Sequence, residues 1–178
     1  MIADNQQERS LISENQKWFL AGFIEGEGSV CVSIKKHKNG KFGFLIDPEF
    51  FLYQHKSRKE VLELAQRVFA AGRIYPKVGN PDILVYTVDA RKTLLEKVIP
   101  FLSKYMKYSS RNEDFRKFAI ITKSLDQKKH WTKEGMIEII EIAYSMNMEG
   151  KQRKRKKEEV INEILRDYTP NTDYSVKI

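Results

Sequence analysis

The chain has 178 residues, enough for one ordinary domain with a real core, and 41% hydrophobic with 11% aromatic content describes a folded protein rather than a disordered one. A formal charge of +8 makes a polyanion the natural partner. Cys31 is the only cysteine and no apolar run approaches the ~18 residues of a membrane span, so a disulfide framework, a thiolate metal cluster and a transmembrane helix are all excluded. The N-terminus lacks the basic-then-apolar order of a signal peptide, so the expectation is a soluble intracellular protein of the bacterial or archaeal cytoplasm or of an organelle, not exported.

Residues 1–12 are polar and read as a flexible N-terminus. Ser13-x-x-Gln16 has the spacing of a capping box, and Trp18 to Glu25 continues as a helix that Gly28 ends. Ser29 to Lys36 then alternates Val30, Val32 and Ile34 with polar residues, a half-buried strand. Asn39-Gly40 predicts the hairpin turn and Phe42 to Tyr53 the returning strand, where Pro48 asks for an edge position or a bulge. Ser57-x-x-Glu60 caps the next helix, with a stripe of Val61, Leu64, Ala65, Val68 and Phe69 and a stop at Gly72. Arg73 to Val78 and Ile83 to Val88 form a second hairpin around Gly79-Asn80-Pro81. Asp89 caps a third helix that stops near Pro100.

Three further helices are predicted at about 110–124, 132–147 and 157–167, the second capped by Thr132 with a stripe of Met136, Ile139, Ile140, Ala143 and Met146. The fold class is α+β: an αββαββα core over residues 13–124, and a C-terminal helical extension over 125–178 that carries the basic segment 151–157. His37, His55 and His130 show no metal-ligand spacing, and no Gly-rich phosphate loop or Ser-His-Asp nucleophile arrangement is present.

The distinctive stretch is Leu20-Ala21-Gly22-Phe23-Ile24-Glu25-Gly26-Glu27-Gly28, where an apolar helix runs into an acidic pair. Carboxylates beside an apolar helix end are costly unless something compensates them, and a divalent cation would. Gly22 and Gly26, four apart, leave one helix face bare, which suits either the chain's own sheet or the close approach of a second backbone. With only one such helix per chain, the second case demands a two-fold symmetric pair.

This stretch closely resembles the signature of the LAGLIDADG homing endonucleases, of the single-motif type: Leu20, Ala21, Gly22, Ile24 and Gly28 match as they stand, and Phe23, Glu25, Gly26 and Glu27 are conservative replacements. The resemblance extends over roughly residues 17–122. It implies a homodimer joined through the motif helix at Trp18, Ala21, Gly22, Glu25 and Gly26, with a four-stranded antiparallel sheet that binds double-stranded DNA at a long, near-palindromic site. It further implies an intron-encoded, site-specific endonuclease that hydrolyses phosphodiesters with Mg²⁺, with Mn²⁺ substituting and Ca²⁺ binding without supporting cleavage. Glu27 and the Gly26 carbonyl then correspond to metal ligands. Gln54, Arg58 and Lys107 join Glu27 as catalytic positions, Lys104 being the rival for the lysine.

The sheet face offers Ser33, Lys35, His37, Asp47, Glu49, Phe51 and Tyr53 by strand parity, and Tyr75, Lys77 and Asp82 from the second hairpin. The basic run, with Arg153, Lys154 and Arg155 at its centre, reads either as a solvated cluster or as a phosphate anchor beyond the sheet. The alternative function on the same scaffold is a non-cleaving DNA-binding regulator or an RNA-splicing maturase with intron RNA as its partner.

Overall fold

Ser13 starts the first helix, α1 (Glu14–Glu27), through the reciprocal bonds its spacing predicts. In the computed structural model, which describes residues 12–147 and 153–166, the Ser13 hydroxyl accepts the Gln16 N–H at 3.2 Å. Gln16 Oε1 accepts the Ser13 N–H at 2.9 Å. Two N–H groups that a helix start leaves unpaired are thereby satisfied. Leu20, Ala21 and Ile24 form the buried face. Gly28 ends the helix in extended backbone, φ −82°, so its glycine is not needed for conformation. It is needed for space: a Cβ there would lie 2.6 Å from the Ile24 carbonyl oxygen.

Strands β1 (Gly28–Lys41) and β2 (Phe44–His55) follow. The reversal between them falls on Phe42-Gly43, three residues beyond the predicted Asn39-Gly40 turn. Phe42 (φ 51°) and Gly43 (φ 79°) are the left-handed pair, and the Gly43 N–H donates to the Gly40 carbonyl at 3.1 Å. Gly40 serves a different need, because a Cβ there would meet the Phe44 carbonyl oxygen at 2.2 Å. On β2 the even positions from Phe44 to Leu52 are buried while Asp47, Glu49, Phe51 and Tyr53 are half-buried, so the parity holds through Pro48. The β2–β4 register begins at Phe50↔Val88, which leaves Pro48 beyond that ladder, where a missing N–H costs nothing.

The predicted Ser57 cap is replaced by His55, whose Nδ1 accepts the Ser57 N–H at 3.2 Å and starts a 3₁₀ turn, Lys56–Arg58. Helix α2 (Glu60–Phe69) ends at Ala70 (φ 47°), two residues before the predicted stop at Gly72. Its stripe includes Leu62, absent from the predicted set, while Val68 is only half-buried. Strands β3 (Arg73–Lys77) and β4 (Asn80–Val88) complete an antiparallel sheet of order β1-β2-β4-β3.

Asp89 does not cap the next helix. Its carboxylate takes a bidentate bond from Arg73 at 2.7 and 3.1 Å, and Ala90 stands at the cap position without a side-chain bond. Helix α3 runs on through Pro100 rather than stopping there: Arg91–Thr93 passes through a π-helical stretch, Leu94–Val98, into Ile99–Tyr105. The Ile99 N–H reaches back five residues to the Leu94 carbonyl, and this widened turn relieves the clash that a proline ring would make with a regular preceding turn. Helices α4 (Asn112–Asp126), α5 (Lys133–Tyr144) and α6 (Lys157–Leu165) follow; α5 is capped by Thr132 as predicted and buries Met136, Ile139, Ile140 and Ala143, while it ends three residues short of the predicted 147 and Met146 is buried just beyond it.

The chain gathers into two compact units. One comprises residues up to Ser29 with Phe50–Asn112. Its core centres on Phe69, whose ring meets Phe50 at 5.7 Å, Phe101 at 5.2 Å and Tyr86 at 6.3 Å. The other comprises Val30–Glu49 with Glu113 onward. There Val30, Val32, Phe44 and Ile46 are buried together with the apolar faces of α4, α5 and α6. The expectation of a flexible segment at 1–12 lies, apart from Ile12, outside the described residues, as do residues 151–152 of the basic segment. No helix among the described residues is long and apolar enough to cross a membrane.

Gly28→Ala tests the close approach at the end of α1: the forced shift is expected to lower stability by about 1–3 kcal/mol, the usual cost of overpacking. Chemical denaturation of the two proteins gives the difference directly.

Candidate active site

Helix α1 ends with Glu25 and Glu27 in its last turn and no basic residue there. Carboxylates at the negative end of a helix dipole are unfavourable, so each needs a partner from elsewhere. Glu25 has one. It accepts hydrogen bonds from the Ser109 hydroxyl, from the Ser110 hydroxyl at 2.8 Å and from the Ser110 N–H at 3.2 Å. The Ser109 bond in particular holds its carboxyl below the ordinary carboxylate value. The next residue, Arg111, donates to the Gly28 carbonyl. Segment 109–111 therefore grips both sides of Glu27. Glu27 itself is exposed and makes no hydrogen bond or ion pair with another described residue.

The residues expected at the dimer face differ in exposure. Ala21 is 3% exposed and spent on its own core, and Glu25 is spent on Ser109 and Ser110. The residues that α1 leaves outward are Trp18 (53% exposed), Phe19 (63%), Gly22 and Gly26. A Cβ at either glycine would meet nothing within 4 Å, so the bare face is open and not packed on the chain's sheet. Phe19 is absent from the predicted set, although its place one turn before Phe23 put it in view.

Gln54 closes β2 with its Oε1 accepting the His55 N–H at 2.7 Å. Gln54 and Arg58 line one open groove whose walls include Gln16, Phe19, Phe23, Val61 and Leu64. Glu27 is not part of that lining. Lys107 is exposed, its ammonium 5.7 Å from the Tyr108 ring centroid. Its rival, Lys104, is held at the other end of α1: it pairs with Glu14 at 3.1 Å. The Tyr105 hydroxyl, at 2.8 Å, and that lysine push the Glu14 carboxyl down to about 2. At ~1.5 Å per residue, Glu14 and Glu27 stand ~20 Å apart along the helix, which removes Lys104 from the Glu27 end. Lys107 is two residues from Ser109, on the Glu27 side.

On β1 and the first half of β2, Lys35 and Asp47 form an ion pair at 3.1 Å. The Ser33 hydroxyl donates to the Asp47 carbonyl at 3.4 Å, and His37 Nδ1 accepts the Asn39 N–H at 3.2 Å. Glu49 is half-buried on the same face of β2 as Asp47. In the other unit, Tyr53, Val85 and Tyr75 lie in one cross-strand row and Phe51, Thr87 and Arg73 in the next. Phe51 and Tyr53 stack at 6.2 Å, and Lys77 sits 5.3 Å over the Tyr53 ring. Asp82 pairs with Lys56 at 2.7 Å. Arg73 was not among the predicted face residues, and only the β3–β4 register shows that it shares the row of Phe51.

The arginines of the basic segment are bonded within their own unit. Arg153 donates to the Val32 carbonyl at 2.7 Å and the Ala143 carbonyl at 2.9 Å, and lies 5.0 Å from the Tyr144 ring. Arg155 pairs with Glu163 and lies 5.5 Å from the Phe44 ring. A planar guanidinium fork suits such carbonyl and ring contacts. Both arginines therefore fasten the segment to its own unit, and of the three predicted anchors only Lys154 is fully exposed.

These features define a class: an α+β fold with an unsatisfied acidic helix end, an open small-residue face and a charge-balanced strand surface. The LAGLIDADG endonuclease family matches residues 20–122, and the chain belongs to that family. The DNA endonuclease I-CeuI of Chlamydomonas moewusii is 45% identical over 61% of this chain, and the matched stretch spans half the length of that relative. The homing endonuclease I-ApeII of Aeropyrum pernix is 29% identical over 83% of this chain and 87% of its own length. Among solved structures, I-CeuI complexed with DNA superposes with a TM-score of 0.80 at 34% identity, covering 86% of this chain and 78% of that one. An archaeal homing endonuclease, I-Vdi141I, also complexed with DNA, gives 0.79 at 33% identity over 84% and 94%.

The Glu25 bonds make stability depend on pH with a definite sign. A carboxyl whose folded pKa is depressed stabilises the fold above its unfolded value and loses that contribution as pH falls through the folded value. The melting temperature of the wild type is thus expected to exceed that of Glu25→Gln near neutral pH, with the gap closing below the ordinary value of 4.5. Thermal melts of both proteins over that range measure it.

Proposed function

We propose that this chain is a site-specific double-strand DNA endonuclease that works as a homodimer across the open face of α1. The observation that carries the reading is Glu27, exposed and unpartnered at the tip of a helix whose Trp18, Phe19, Gly22 and Gly26 face is bare. Two such helices packed about a two-fold axis bring two Glu27 carboxylates together, one for each DNA strand. The likeness to endonucleases solved with DNA supports the substrate class.

Among the described residues of one chain, no three His, Cys, Asp or Glu side chains gather to hold a metal ion. The donors at the helix end, the Glu27 carboxylate and the Gly26 carbonyl, are hard oxygens that fit Mg²⁺, an ion that keeps several waters and asks for few protein ligands. Such an ion, when bound, supplies charge stabilisation and a more acidic water. The chain's own groups do the rest. Segment 109–111 fixes the backbone on either side of Glu27. Gln54, its Oε1 held by the His55 N–H, keeps its amide N–H groups for orienting a water or phosphate oxygen. Arg58 and Lys107 place positive charge where negative charge grows on the phosphate.

The strand face reads sequence in the major groove, where each base pair presents its own pattern of donors and acceptors. Lys35 neutralises Asp47 before DNA arrives, and Lys56 does the same for Asp82. At ~3.3 Å per residue the twelve-residue β2 spans ~40 Å, on the order of 10 base pairs per subunit, so the dimer takes a long near-palindromic site.

Selection of cleaved molecules from a randomised duplex library, with Mg²⁺ and with Ca²⁺, tests the activity. A near-palindromic site cut with Mg²⁺ is expected, and enrichment without cutting would instead make the protein a binder of DNA. On the selected site, Glu27→Gln is expected to keep affinity and to lose roughly 10²–10⁴-fold in cutting rate, the scale of a lost acid–base or charge-stabilising group. Cutting at the wild-type rate would remove Glu27 from the chemistry. Gly22→Leu tests the dimer: a folded monomer in sedimentation is expected, since a Cβ at this position meets nothing within 4 Å in the protomer, and a surviving dimer rejects this face.

A further inference from the structure

The segment Gln127-Lys128-Lys129-His130-Trp131-Thr132-Lys133 joins α4 to α5 and has no part in the site described above. It is built rigidly. Lys128 takes the left-handed conformation (φ 60°) and its N–H donates to the Leu125 carbonyl at 3.1 Å. A 3₁₀ turn follows, with the Trp131 N–H on the Lys128 carbonyl at 2.9 Å and the Thr132 N–H on the Lys129 carbonyl at 3.2 Å. Thr132 then caps α5, its hydroxyl accepting the Gly135 N–H at 3.1 Å. The turn is pressed so close to that helix that a Cβ at Gly135 would meet the Lys129 carbonyl oxygen at 2.1 Å.

This frame holds a large aromatic residue in solvent. Trp131 is 52% exposed. Two ammonium groups stand over its ring, Lys128 Nζ at 4.7 Å and Lys41 Nζ, from the far end of β1, at 5.1 Å. Lys129 is exposed beside them. Lys41, Lys128 and Lys129 form no ion pair with a described acidic residue. Half-exposing an indole costs free energy, and here it orders two flexible lysines into fixed positions at a cation–π contact. Three cations gathered on a rigid frame, with no acid among the described residues paired to them, match a row of phosphates.

We infer that Trp131 with Lys41, Lys128 and Lys129 forms a second nucleic-acid contact, one that grips the phosphate backbone of duplex DNA outside the base pairs read by the strands. The inference rests on the proposed DNA reading, because Lys41 is the last residue of β1, a strand assigned there to DNA. The contact carries charge without base-edge donors of fixed pattern, so it adds affinity and no sequence preference.

Fluorescence anisotropy with a labelled mixed-sequence DNA duplex, over roughly 50–200 mM KCl, tests it through the salt slope. The wild type is compared with Lys41→Ala/Lys128→Ala/Lys129→Ala and with the triple arginine variant. The alanine variant is expected to reduce the slope of log K against log salt by roughly 0.9 per lysine, and the arginine variant to retain it. Trp131→Ala is expected to weaken binding while its melting temperature stays close to that of the wild type. A wild type that binds with a slope unchanged by the alanine variant overturns this inference alone. The same holds if the variant loses affinity for a hairpin RNA but keeps its DNA slope. A wild type with no salt-dependent DNA binding overturns the DNA reading and this contact together.

Discussion

The end of α1 constrains this molecule more than any other feature. Two carboxylates stand where the helix dipole is already negative, and the last turn contains no base to offset them. The structure treats the two differently. Glu25 is folded back onto Ser109 and Ser110, and Arg111 closes over the Gly28 carbonyl, so the α3–α4 connection is fastened around the helix end. Glu27 is left outward. A helix end that satisfied both acids internally would have nothing to offer a cation or a phosphate, and one that satisfied neither would fray. The split is what allows a firm backbone and an available carboxylate to occupy adjacent positions.

The second unit meets a different problem. β1 is an edge strand, and bare edge carbonyls invite pairing with another chain. Asn147, in the left-handed conformation, donates its amide to the Val30 carbonyl at 3.1 Å while its backbone N–H is taken by Asp114. Arg153 serves the Val32 carbonyl two residues on. Side-chain donors from the α4–α6 region thus take the place of a further strand. The helices after residue 112 are therefore part of how β1 is held, and their removal would strip the edge.

The acids on the strands are balanced within each unit. Asp47 and Asp82 are each met by a lysine, and Lys77 lies over Tyr53. Each of these acids thus has a base within bonding distance in its own unit. The proposed Trp131 contact works by the opposite arrangement, with lysines that pair with no described acid ordered on a ring.

Much was legible in the sequence because it depends on neighbours along the chain. The capping box at Ser13, the cap at Thr132, the period-2 burial of β1 and β2 and the apolar stripe of α5 are local rules, and they appear in the structure as the residues dictate. The nine-residue motif likewise placed Glu27 at a helix end by spacing alone. What the sequence could not decide were contests between local and distant partners. Asp89 could cap a helix or pair with Arg73, and strand register chose Arg73. Pro100 could stop a helix or be carried through it, and a π turn carried it. Arg153 and Arg155 could face solvent or their own unit, and the carbonyls of Val32 and Ala143 with the ring of Phe44 drew them in. At Pro100 the answer is a local π turn, but for Asp89 and the two arginines the winning partners stand many residues away, and only the tertiary structure brings them within bonding distance.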